Sequence, residues 1–147
     1  MRVIIQRSKN SNVVIEEKIY GQINHGLVVL VGFTEGDDAT DIEYIVKKII
    51  NLRIFDDEFG IMNKSVLDTK GEILSISQFT LYANTKKGNR PSYIDALSSE
   101  KAIRLYDQFN NLLREYLTVK TGVFGADMQV NITNDGPITI FIDSKNK

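Results

Sequence analysis

The chain of 147 residues contains no cysteine, no tryptophan, one histidine and only two prolines. Without cysteine there can be no disulfide, no thiolate nucleophile and no Cys-based zinc or iron–sulfur site. The lone histidine, His25, sits in Asn24-His25-Gly26, which reads as a turn between two strands, so a serine triad has no placed base. No H-E-x-x-H spacing and no Gly-rich segment ending in Gly-Lys-Ser/Thr occurs, so neither a zinc-hydrolase helix nor a P-loop is present, and no metal site is expected. Charge of one sign is missing too: Lys and Arg number 18 against 19 Asp and Glu, so any nucleic-acid contact must be a local patch. The N-terminus, Met1 to Arg7, reaches charge too early for a signal peptide, and no apolar run approaches the roughly 20 residues of a membrane span. No membrane association and a cytoplasmic location are expected.

What is present reads as one domain, residues 1–147, with no repeat, low-complexity tract or linker to divide it. β-Branched segments come first: Val3 to Arg7, Val13 to Ile15, Ile19 to Ile23 and Leu27 to Phe33, with Gly21 and Gly26 at expected turns or bulges. From Asp41 the period changes, with Ile42, Ile45, Val46, Ile49 and Ile50 on one helical face and Thr40 with Glu43 as a capping box. A second amphipathic helix follows from Ala102, Leu105, Tyr106, Phe109, Leu112, Leu113 and Tyr116, capped by Ser98 or Ser99. Between them lie the turn-rich Asp56 to Gly60 and a strand, Glu72 to Ser77. Alternation from Met128 to Thr133 and from Ile138 to Ile142 gives two strands flanking Gly136-Pro137. The predicted fold class is α/β: a mixed, mostly antiparallel sheet curled into a barrel-like core with two main amphipathic helices. The tail from Asp143 to Lys147 is expected to fray.

Catalysis by this chain has to draw on neutral groups. Ser77, Gln78 and Thr80, at the end of a strand, offer hydroxyls, an amide and backbone N–H groups. Such groups orient water and stabilise an oxyanion, enough for an activated bond such as an ester and poor equipment for a peptide bond. By spacing alone, Ser77-Gln78-Phe79-Thr80-Leu81 is equally a strand with alternating polar positions. Pro137 stands in strand-like sequence, where a residue lacking an N–H is unwelcome. Asn134-Asp135-Gly136 suits a tight turn, while a cis Gly136–Pro137 peptide would instead aim two carbonyl oxygens into one small space. The loop Thr85 to Pro91 gathers Lys86, Lys87 and Arg90, as phosphate contacts or as an ordinary solvated surface.

At these motifs the sequence resembles the D-aminoacyl-tRNA deacylases, the family once called D-tyrosyl-tRNA deacylases. The resemblance runs through Ile5-Gln6-Arg7, Gly32, Arg53-Ile54-Phe55, Met62-Asn63, Ser77 to Leu81, Arg90-Pro91-Ser92-Tyr93, Thr121 to Met128 and Asn134 to Thr139. It implies hydrolysis of the ester that joins a D-amino acid, or glycine mischarged on tRNA-Ala, to the terminal adenosine of tRNA, with no cofactor. It also implies a homodimer with active sites at the interface, where Gly136-Pro137 of one subunit enters the other's pocket as a cis dipeptide. An L side chain would strike that carbonyl wall, whereas a D side chain would point away and glycine would fit either way.

By the same resemblance Thr80, Gln78 and Ser77 are the catalytic candidates, and Phe79, Gly136, Pro137, Arg7 and Met128 the substrate-binding ones. Arg7 would brace the proline-bearing segment, and Met128 and Phe124 could equally be core. Lys86, Lys87 and Arg90 are the candidate tRNA contacts. Thr80 has been considered a nucleophile in the family; no His, Lys or Asp lies nearby in sequence to deprotonate it, which favours water activated by the tRNA 2′-hydroxyl. A self-contained chain is expected to act alone, not as an editing module within a synthetase. The competing expectation is a non-catalytic nucleic-acid-binding module on the same fold.

Overall fold

The β-branched N-terminal segments form one long hairpin, not a set of short strands. In a computed structural model that describes residues 1–147, β1 (Arg2–Ile15) and β2 (Lys18–Gly32) pair antiparallel along their lengths. Gly26 and His25 therefore lie inside β2 instead of at a turn, whereas Gly21 stands at a bulge, where Val13 pairs with Gly21 and Val14 with Ile19 and Tyr20 is left over. The exposed His25 ring sits with Nε2 3.1 Å from the Thr69 carbonyl oxygen. Gly26 is required where it is: its φ is +142°, and a Cβ there would stand 1.9 Å from the Glu72 carbonyl oxygen of the neighbouring strand.

Helix α1 (Ala39–Asn51) buries Ile42, Ile45, Val46, Ile49 and Ile50, the face its periodicity marked. Its cap lies two residues earlier than Thr40 and Glu43 suggested. The Asp38 side chain accepts the Thr40 N–H, and the Asp41 carboxylate accepts the Asp38 N–H at 3.1 Å. Two aspartates thus close the box, because a short carboxylate reaches those N–H groups as readily as a hydroxyl and Glu pair. The stretch read only as turns is a small hairpin, β3 (Phe55–Asp56) with β4 (Met62–Lys64).

Strand β5 (Glu72–Ser77) lies parallel to β2 and leads into a 3₁₀ turn, Phe79–Tyr82. Helix α2 (Ser99–Arg114) then returns the chain to β6 (Val119–Thr121), parallel to β5, before the last strand, β7 (Gln129–Asp143). The sheet order is β6-β5-β2-β1-β7. One face packs Val29, Val31 and Ile73 against both helices, through residues such as Ile45, Ile49, Phe109 and Leu113. On the other face Val28, Leu74 and Ile76 meet Val13 and Ile23 from the far end of the hairpin, so the sheet curls. It does not close into the expected barrel: β6 pairs only with β5 and β7 only with β1. Three residues of β6 offer too short a ladder to meet β7, and the gap between these edges is left open.

The two strands expected around Gly136-Pro137 are one, bulged in the middle. Gln6 pairs with Thr139 and Ser8 with Asn134, so Asp135, Gly136, Pro137 and Ile138 stand opposite the single residue Arg7. Pro137 is tolerated because β7 is an edge strand and the bulge removes it from the ladder. The C-terminal tail is anchored, contrary to its polar composition. Ser144 is buried, its N–H donates to the Met1 carbonyl at 2.9 Å, and Lys145 Nζ reaches the Asp41 carboxylate at 2.7 Å.

Candidate active site

A cleft of about 640 Å³ opens where the sheet fails to close. Ile76 and Ser77 from β5 and Val130 from β7 line its two sides. The Gln78 N–H donates to the Val31 carbonyl at 2.7 Å, carrying the parallel ladder one residue beyond β5 before the chain turns away. Gly32 makes that close approach possible, since a Cβ there would lie 2.7 Å from the Gln78 carbonyl oxygen. Phe79, 57% exposed, stands edge-on to Tyr93 with ring centroids 5.1 Å apart, and both rings form one lip of the cleft.

The opposite wall comes from the connection between β6 and β7. Phe124, Gly125, Ala126, Asp127 and Met128 all line it, and the Met128 sulfur lies over Gly122, where a Cβ would be only 2.3 Å from it. Behind Phe124 is Tyr106, its ring 5.8 Å away and its hydroxyl donating to the Ser75 carbonyl at 2.8 Å; burial raises that phenol above its ordinary range. The remaining wall is the start of α2. Ser98 and Ser99 line the cleft, and Ser98 makes no side-chain capping bond, so its hydroxyl is free for a ligand.

The structure thus brings Ser77, Gln78, Phe79 and Met128 together in one cleft. Thr80 does not line it but lies directly behind, where Gln78 Nε2 donates to its Oγ1. An amide is far too weak a base to deprotonate that hydroxyl, whichever way round its oxygen and nitrogen are assigned. Asp127 is the only carboxylate on the walls, and no lysine, arginine or histidine joins it. No three His, Asp or Glu side chains converge anywhere to hold a metal ion. These groups can bind, orient and polarise an ester and a water molecule; they cannot deliver a strong side-chain base.

The other candidates stand elsewhere on the chain. Gly136 and Pro137 are exposed at the β7 bulge, joined by a cis peptide. Arg7 holds that bulge from behind: Nε donates to the Asp135 carbonyl at 3.2 Å, and Nη1 to the Ile54 carbonyl at 2.9 Å. Lys86, Lys87 and Arg90 are exposed on a loop whose base is closed by backbone bonds of 2.8 and 2.9 Å between Asn84 and Ser92. That base adjoins Tyr93 at the cleft lip. Sequence reasoning took Ser98 and Ser99 only for helix caps and did not see Ala96, Leu97 and Ala102 as cleft walls. The doubled serine before the helix was the one available sign.

The sequence model of the family described as D-Tyr-tRNA(Tyr) deacylase matches residues 4–143. A solved structure titled "c-Myc DNA Unwinding Element Binding Protein" is 40% identical, with a TM-score of 0.93 over 97% of this chain and 98% of that one. A second, described as a probable eukaryotic D-amino acid tRNA deacylase, is 18% identical and shares the fold, with a TM-score of 0.82 over 96% of this chain and 97% of that one. The chain belongs to the D-Tyr-tRNA(Tyr) deacylase family, hydrolases that act on aminoacyl-tRNA.

Proposed function

We propose that the protein hydrolyses the ester of D-aminoacyl-tRNA, and of glycyl-tRNA mischarged on tRNA-Ala, while sparing L-aminoacyl-tRNA. Water attacks the ester carbonyl carbon, and collapse of the tetrahedral oxyanion breaks the bond to the ribose 3′-oxygen, which takes up a proton. The observation that carries this reading is the make-up of the cleft: hydroxyls, amides and apolar walls around the end of β5, with Thr80 held by an amide and not by a base. The terminal 2′-hydroxyl of the tRNA therefore activates the water, and Ser77, Gln78 and the Thr80 amide position the ester and its oxyanion. No metal or organic cofactor takes part in this scheme.

Handedness is assigned to a second protomer. In the proposed homodimer the exposed Gly136-Pro137 corner of one chain enters the cleft of the other, and its carbonyl oxygens receive the substrate ammonium. An L side chain would collide with that wall, a D side chain would face away from it, and the hydrogen of glycine would fit. Rejection by the backbone leaves the D side chain largely uncontacted, so tolerance of many D-amino acids follows.

A second reading has one observation in its favour: the 40% identical structure bears the name of a DNA-binding protein. On that reading the chain binds nucleic acid and cleaves nothing. Release of D-tyrosine from D-tyrosyl-tRNA in the presence of a chelator separates the two. Binding with an intact ester after prolonged incubation would establish the second reading and sink the first.

A further inference from the structure

A second, shallow hollow of about 620 Å³ lies at the C-terminal end of α1, lined by Tyr44, Lys47, Lys48, Asn51, Leu52 and Arg53. Three cations gather here, although the chain as a whole has a formal charge of -1. Lys47, Lys48 and Arg53 form no ion pair, and Lys47, Lys48 and Arg53 are all exposed. Lys48 complements the helix dipole in the last turn of α1, but that accounts for only one of the three. Arg53 Nε is fixed by the Asn63 carbonyl at 3.0 Å, which leaves its two terminal nitrogens to the hollow. Tyr44 forms the floor, with Lys48 Nζ 5.6 Å and Lys147 Nζ 4.6 Å from its ring centroid, so a fourth cation borders the same space. The Asp68 carboxylate, which feels the charge of Arg53, is already held by the N–H and hydroxyl of Ser65 at 2.8 Å.

The position of this hollow gives it a use. Arg53 precedes Ile54, whose carbonyl and that of Asp135 are both held by the Arg7 guanidinium. The basic hollow and the Gly136-Pro137 corner are therefore fastened to one side chain. Where the corner enters a partner's cleft, the Arg53 end of the hollow is carried toward that cleft with it. We infer that Lys47, Lys48 and Arg53 form a phosphate-binding site that grips the tRNA backbone in trans, while the substrate ester lies in the partner's cleft. The inference rests on the proposed deacylase dimer. The ligand chemistry is that of successive backbone phosphates, which unpaired Lys and Arg around an open hollow meet without reading sequence.

The test is a combined K47E/K48E/R53E variant assayed on D-tyrosyl-tRNA and on 3′-O-D-tyrosyl-adenosine, with K47Q/K48Q/R53Q as a milder guard against misfolding. The KM for the charged tRNA is expected to rise at least about tenfold, with kcat kept and the plot of log KM against log salt flattened by up to about three units of slope. Turnover of the adenosine ester is expected to stay as in wild type. An unchanged KM and salt slope, or an equal loss on both substrates, overturns the inference. Mixed dimers test the placement: a hollow-reversed chain is combined with a chain whose cleft is filled by A126W. A wild-type KM from the one open cleft supports action in trans, and a raised KM overturns it. Binding of uncharged tRNA reads the hollow without the chemistry. Wild type that binds tRNA through these cations yet hydrolyses nothing condemns the deacylase reading and leaves the hollow standing.

Discussion

Arg7 Nε donates to the carbonyl oxygen of Asp135 at 3.2 Å, from a side chain that is almost wholly buried beneath the β7 bulge. Nη1 of the same guanidinium holds the Ile54 carbonyl at 2.9 Å and approaches the Asp56 carboxylate at 3.4 Å. One planar fork therefore ties β1, the segment after α1 and the Gly136-Pro137 corner into a single unit. Arg7→Ala leaves two backbone carbonyls without a donor, at a cost of roughly 1–3 kcal/mol in stability. Arg7→Lys keeps the charge but cannot serve both carbonyls in the same plane. Chemical denaturation is expected to place the lysine variant between wild type and alanine, and deacylation kinetics are expected to follow that order.

Thr80 provides the sharpest test of who activates the water. With its Oγ1 bound by the Gln78 amide, Thr80→Ala is expected to retain measurable hydrolysis of D-tyrosyl-tRNA, reduced by about ten- to a hundredfold. A terminal 2′-deoxyadenosine is expected to lose nearly all of it. An inert alanine variant combined with full activity on the deoxy substrate would make Thr80 the nucleophile.

Gly32 carries the geometry of Gln78. A Cβ there would lie 2.7 Å from the Gln78 carbonyl oxygen and 3.2 Å from the Leu81 Cβ, so backbone must shift to admit it. Gly32→Ala is expected to cost about 1–3 kcal/mol by overpacking and to lower kcat by roughly ten- to a hundredfold through displacement of the β5 end. Thermal melting and single-turnover hydrolysis, measured on the same preparation, check both numbers.

Asp41 sets the acid limb of stability. Burial pushes its carboxyl up, but hydrogen bonds from Lys145 and Ser144 outweigh that and bring it from 3.8 to about 2. A depressed folded-state pKa stabilises the fold above the unfolded value, and that contribution disappears as pH falls from about 4 to about 2. Allowing for screening around the half-exposed Lys145, it amounts to about 1–2 kcal/mol. Asp41→Asn is expected to lower stability at neutral pH by that amount and to flatten its fall between pH 4 and pH 2 in urea titrations. An unchanged acid limb would show that the pair contributes nothing.

How much of this was legible in the sequence depends on how local each cause is. The helical faces of Ile42 to Ile50 and of Ala102 to Leu113 follow from a 3.6-residue period, and Glu72 to Ser77 from a short β-branched run, all local patterns. The N-terminal hairpin was read as fragments because Gly21, Gly26 and polar residues interrupt the alternation, whereas Gly26 is kept for its close approach to Glu72. The anchoring of Ser144 depends on Met1, at the other end of the chain, and no local pattern announces it. The cleft divides the same way. Ser77 to Phe79 and Phe124 to Met128 stand out as motifs, while Leu97, Ser98 and Ala102 become walls only because α2 packs across the open edge of the sheet.

Handedness decides the matter most directly. In one assay, tRNA-Tyr charged with D-tyrosine, tRNA-Tyr charged with L-tyrosine and tRNA-Ala charged with glycine are incubated with the protein, and the surviving ester is followed over time. D-Tyrosyl-tRNA and glycyl-tRNA are expected to be deacylated, and L-tyrosyl-tRNA to decay no faster than in buffer alone. Turnover of the L-ester at a rate comparable with the D-ester would contradict selection by a backbone wall from a neighbouring protomer.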